Sequence, residues 1–149
     1  MQRSTIHQLV RPQGETPAAS SMYDVAAVEA VFAQARQRES SLSLLMLSTA
    51  DGRSIAEASS LDADGRRIAA MANSFLTLGE TVSRELKLSE ADYATICTRM
   101  GNVVLIRIAA ARPMTLTAVG RSELNLAVLL FHARECAQRL LPLLDARTP

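Results

Sequence analysis

From Leu42 to Ser48 the chain reads Leu-Ser-Leu-Leu-Met-Leu-Ser, and Thr49-Ala50-Asp51-Gly52 follows at once. An apolar run this short fits a strand covered on both faces better than a helix. Asp-Gly between two strand candidates signals a tight reversal. The return segment, Arg53 to Ser59, places only Ile55, Ala56 and Ala58 among polar residues, as an edge strand should. A hairpin with one doubly buried arm demands helices on both sides of an antiparallel sheet.

The rest of the chain supplies those layers. Val25, Val28, Phe32 and Ala35 recur at helical spacing after Ser21 and Asp24, which resemble a capping box. Asp62 and Asp64 offer caps for a second helix from about Gly65 to Lys87, with Ile68, Met71, Ala72, Phe75, Leu78, Val82 and Leu86 as its apolar stripe. Three more strands follow: Ala91–Met100, turned by Gly101-Asn102, then Val103–Ala109 and Met114–Val119. Asn125 caps a last helix, Leu126 to Leu144, with a stripe of Leu126, Leu130, Ala133, Ala137, Leu140 and Leu144. The reading is an α+β domain of three layers: a five-stranded antiparallel sheet, one helix on one face and two on the other. Residues 1–20, with Pro12, Gly14 and Pro17 among polar residues, read as a mobile N-terminal tail. The domain spans 21–145, and 146–149 form a C-terminal tail. At 149 residues this is one domain.

The second helix carries an anomaly. No charged residue occurs between Ile68 and Gly79. Its back face reads Ala70, Asn73, Thr77 and Thr81, bracketed by Arg66 and Arg84. A solvated helix normally shows charge there, so this face is expected to pack on another chain. Strand three opens a meander and offers a β-branched edge with Tyr93, Thr95 and Cys97. Together these residues predict a twofold dimer whose sheet continues across the interface.

Catalytic chemistry is missing. There is no phosphate loop, and Lys87 is the only lysine. No nucleophile elbow is present. His132 and Cys136 stand four apart on one helix, but two ligands do not make a metal site. Asp62 and Asp64 read as helix-cap acids. Arg99, Arg107, Arg112 and Arg121 read as solvated arginines. Cys97 and Cys136 read as two free buried thiols in a reducing compartment. Sixteen basic against fifteen acidic residues leave a net charge of +1, which argues against nucleic-acid partners. Aromatics are 3% of the chain, too few for stacking platforms. No run reaches the ~20 residues of a membrane span, and the polar N-terminus lacks a secretory h-region. The expectation is a cytoplasmic, non-enzymatic module with no cofactor and no metal.

The residues also resemble a known family. Asp51-Gly52-Arg53-Ser54-Ile55-Ala56, Asp62-Ala63-Asp64, Arg67-Ile68-Ala69-Ala70-Met71-Ala72, Leu76-Thr77-Leu78-Gly79-Glu80, Gly101-Asn102-Val103-Val104-Leu105-Ile106-Arg107 and Leu124-Asn125-Leu126-Ala127 together resemble the roadblock (dynein-light-chain-type) domain, over about Ser21 to Leu144. Ala127 departs from the glycine often found there. The resemblance implies pairing through helix two and strand three. It also implies regulation of a small Ras-like GTPase, as in the bacterial branch of the family. Arg66, Asn73, Thr77, Glu80 and Arg84 are the contact candidates for that partner. An assembly scaffold without effect on nucleotide hydrolysis is the alternative, and a small-molecule sensor a third reading, disfavoured by the lack of a convergent polar cluster.

Overall fold

The computed structural model describes residues 22–145. The tails expected at 1–20 and 146–149, and Ser21, lie outside them. The elements are α1 (Val25–Arg38), β1 (Leu42–Thr49), β2 (Ser54–Ser59), α2 (Gly65–Glu85), β3 (Ala94–Thr98), β4 (Gly101–Ile108), β5 (Met114–Arg121) and α3 (Leu126–Asp145). The strands form one sheet in the order β2-β1-β5-β4-β3, and every pairing is antiparallel. The order of elements and the hairpins are those the sequence predicts.

Local chemistry sets the boundaries. Asp24 caps α1 by accepting from the Ala27 amide at 3.0 Å, so the helix begins later than a Ser21 cap would place it. Asn125 caps α3 through the Val128 amide at 2.9 Å. The β1–β2 loop closes with the Thr49 amide donating to the Arg53 carbonyl, and Gly52 takes a φ of 90°. A Cβ on Gly52 would stand 3.1 Å from the Ala70 Cα, so the loop can lie close against α2 only with glycine there. The β3–β4 reversal falls at Arg99-Met100, not at Gly101-Asn102. Gly101 already pairs with Thr98 and Arg121, and the Thr98 hydroxyl donates to its carbonyl at 2.6 Å.

The two faces of the sheet are packed very differently. β1 is buried along nearly its whole length, and its side chains alternate between faces. Leu45 and Leu47 join Phe32 of α1, Val104, Ile106 and Leu116 of the sheet, and Leu129, Ala133, Cys136 and Leu140 of α3 in one large core. On the other face α2 contributes only to two small clusters: Ala69 with Leu44 and Met46, and Ala72 and Leu76 with Leu105. α1 and α3 therefore share one face and α2 holds the other.

The packing of α2 overturns one expectation. Of the stripe read as its core face, Met71, Phe75, Leu78, Val82 and Leu86 are 41% to 64% exposed. The sheet receives Ala72 of that stripe, as read, together with Ala69, Asn73 and Leu76, which lie outside it. Periodicity fixes the phase of an amphipathic helix, but not which of two surfaces it serves.

Candidate functional site

The roll of α2 follows from a row of side chains beneath it. Ser48 of β1, Thr115 of β5 and Arg107 of β4 stand opposite one another across the register. They form a polar line beside the apolar Leu44, Met46 and Leu105 of the same face. Asn73 comes down onto this line. Its amide donates to Ser48 Oγ at 2.9 Å and to the Ala69 carbonyl at 2.8 Å, and its oxygen accepts from Thr115 at 2.6 Å and from Arg107 at 3.0 Å. Arg107 also donates to Thr115 Oγ1 at 2.6 Å, to Thr77 Oγ1 at 3.3 Å and to Glu80 Oε1 at 2.7 Å. The Arg107 and Glu80 side chains are largely screened from solvent. Asn73, Thr77 and Glu80 recur at i, i+4 and i+7, so one helix face meets one guanidinium.

This corrects the sequence reading at two points. Asn73 is buried and belongs to the inner face of α2, not to an outward back face. Arg107 is not a solvated arginine but the centre of a network. Its partners on α2 lie about thirty residues away in the chain, and no short-range pattern links them.

The other predicted residues are distributed as follows. Ala70, Thr77 and Thr81 lie on the exposed flank of α2 above the β1–β2 loop, with Arg66 and Arg84 also exposed. Thr81 donates back to the Thr77 carbonyl at 2.9 Å, and Arg84 reaches the Thr81 hydroxyl at 3.4 Å. Glu80 is held by Arg107. Tyr93 lies just before β3 with the Arg134 guanidinium 5.4 Å from its ring centroid, a cation–π contact. Thr95 donates to the Val103 carbonyl at 2.8 Å, and Cys97 beside it is exposed on the edge strand rather than buried as expected, while Cys136 is buried.

What the sequence missed lies on the opposite flank of α2. There the helix stands away from the sheet over the row Leu44, Val119, Val103 and Ile96. The gap is an apolar groove of about 340 Å³, lined by Ile68, Met71, Ala72 and Phe75 of α2 and by Leu61 and Ala63 before it. Its far wall is β3, whose outer edge pairs with no other described strand. Met71 and Phe75 of the stripe and Ile96 of β3 share this groove. Contiguous apolar exposure of this kind marks interaction surfaces. The signal was present in the stripe itself, too wide and too apolar for the small face it was assigned to cover.

Among the described residues, no group of three or more His, Cys, Asp or Glu is placed to hold a metal ion. Cys136 is on the buried face of α3, and desolvation pushes its thiol up to about 12. His132 and Phe131 meet edge to face. No described helix is long and apolar enough to cross a membrane.

No protein-family model matches the chain, and no curated protein does either. Solved structures do. Myxococcus xanthus MglB superposes with a TM-score of 0.74 at 10% identity, over 85% of this chain and 93% of that one. The gliding protein MglB of Thermus thermophilus gives 0.69 at 13%, over 93% and 100%. A Roadblock/LC7 domain from Streptomyces avermitilis gives 0.66 at 13%, over 83% and 94%. The chain has the roadblock fold. Identities this low carry the fold alone, so the roadblock likeness describes the scaffold on which the apolar surface of α2 and β3 is displayed.

Proposed function

We propose that the chain is a non-enzymatic cytoplasmic adaptor that pairs with a second copy of itself and, as a pair, binds and regulates a small Ras-like GTPase. The observation that carries the pairing is the outward apolar stripe of α2 lying beside the free edge of β3. Burying that surface against a twofold-related copy would remove Met71, Phe75, Leu78 and Val82 from water, and would extend the sheet through β3. Ala70 and Thr81 flank this contact, and Tyr93, Thr95 and Cys97 accompany the strand edge.

The GTPase reading rests on the family resemblance and on the roadblock fold of the MglB structures. Arg66, Thr77 and Arg84 are the exposed candidates to meet a partner, because Asn73 is buried and Glu80 is held by Arg107. Such an adaptor acts by holding switch loops rather than by supplying chemistry. The test is to mix the chain with a cognate GTPase loaded with GDP or with a GTP analogue. Co-elution with one nucleotide form and an altered hydrolysis rate support the reading. Absence of both with either nucleotide rejects it.

A scaffold without effect on hydrolysis has one observation in its favour. Val128, Phe131 and Leu141 on α3 are exposed on the layer opposite α2, which offers a second docking face. Capture of a larger assembly that Phe131→Ser abolishes, with GTP hydrolysis unchanged, selects that reading.

A further inference from the structure

An amphipathic helix resting on a partly apolar sheet should turn its widest apolar side inward. α2 does not. Its buried, sheet-facing side offers two alanines, one asparagine and one leucine, while Met71, Phe75, Leu78 and Val82 are left 41% to 62% exposed. The small apolar contacts of Ala69, Ala72 and Leu76 could be replaced by larger ones in a different roll, whereas the polar network would be left without partners.

The geometry points to Arg107 as the positioning residue that sets the roll of α2 and keeps the apolar stripe turned outward for a second copy. This deepens the pairing proposed above and rests on it for its purpose, though not for its physics. Three of the four side chains that accept from Arg107 belong to α2: Asn73, Thr77 and Glu80. The fourth, Thr115, ties the guanidinium to the neighbouring strand. Rolling the stripe onto the sheet would carry all three α2 partners away. It would also leave a charged guanidinium beneath an apolar helix face, where an unpaired charge is heavily penalised. The alternative roll is therefore blocked by Arg107 as much as the observed one is held by it. A planar fork with several donors can meet three acceptors along a helix at once, whereas an ammonium cannot match that spread.

The test uses the full chain. Leu78→Cys in a Cys97→Ser background places a thiol on the stripe, and its alkylation is timed at a dilution where light scattering gives a monomer. With Arg107 present, the introduced thiol should react near the rate of an exposed thiol. Arg107→Met should slow it at least tenfold as the stripe turns inward, and Arg107→Lys should restore the rate in part. In chains that retain Leu78, Arg107→Met should weaken self-association at least tenfold. Should Arg107→Met fail to fold, Thr77→Val with Glu80→Gln removes the α2 side of the network, and the same slowing is expected. An unchanged alkylation rate in either variant, with cooperative unfolding retained, overturns the proposal. A wild-type chain that stays monomeric at every concentration defeats the pairing reading, while the alkylation result still decides the role of Arg107.

Discussion

Leu76 and Leu78 stand two residues apart on α2 and have opposite environments: Leu76 is fully buried against Leu105, and Leu78 is 62% exposed. The same side chain is thus a core residue in one case and a surface residue in the other. Leu76→Ala should cost about 2–5 kcal/mol in urea unfolding, because it opens a cavity in one of the few apolar contacts that fix α2. Leu78→Glu should change monomer stability by within about 0.5 kcal/mol. If the stripe is a pairing surface, it should nevertheless raise the dimer dissociation constant about tenfold or more, read by sedimentation. A dimer indifferent to Leu78→Glu would place the interface elsewhere.

The hairpins and the cap at Asn125 were legible because each depends on neighbours in the chain, whereas the pairing of β1 with β5 joins distant segments and was not read. The Asp51-Gly52 loop and the doubly apolar β1 already demanded hairpins with helices on both faces. The roll of α2 was not legible. Its stripe at Met71, Phe75, Leu78 and Val82 has the period of a core face, and only the sheet beneath shows that the core face is Ala69, Ala72, Asn73 and Leu76. The deciding contact joins Asn73 and Glu80 to Arg107, which sits in a strand that otherwise reads as apolar. Of the uncharged back face, Ala70, Thr77 and Thr81 are exposed as read, while Asn73 is buried against the sheet.

Asn73 ties α2 to three strands at once. Asn73→Leu keeps the approximate volume but strips Thr115 and Arg107 of an acceptor and Ser48 of a donor. Buried polar groups left unmatched cost about 1–3 kcal/mol. The variant should lose stability of that order in chemical denaturation and should become more salt-sensitive, since Arg107 is then held mainly by Glu80. Stability equal to wild type would mean that the network is not needed to hold the helix.

Lys87 adopts a φ of 56° just beyond the end of α2, where Leu88 donates to the Ser83 carbonyl at 3.0 Å. This is a helix-terminating turn normally given to glycine. A side chain in the left-handed region costs about 1–2 kcal/mol. Lys87→Gly should therefore stabilise the chain by up to about 1 kcal/mol, the gain being offset in part by the greater freedom of glycine in the unfolded state. Differential scanning calorimetry would show a higher Tm, and a lower one would mean that Lys87 makes a contact that outweighs its backbone strain.

Cys136 gives the fold an alkaline limit. Burial raises its thiol from 9.0 to about 12, so the folded chain keeps a proton that the unfolded chain releases above pH 9. The stabilisation from this protonated thiol is fully present below pH 9 and is lost as pH climbs towards 12. The corresponding slope is about 1.4 kcal/mol per pH unit across that window. Cys136→Ala should be less stable at neutral pH because it leaves a small void among Val31, Leu140 and their neighbours. Its stability should nevertheless fall less steeply above pH 9, so the two curves converge as the medium becomes more alkaline. Thiol titration offers a direct check: at pH 8 exposed Cys97 should react at once, and Cys136 only as fast as the chain unfolds. Equal reactivity of the two thiols in the folded protein would contradict the buried environment assigned to Cys136.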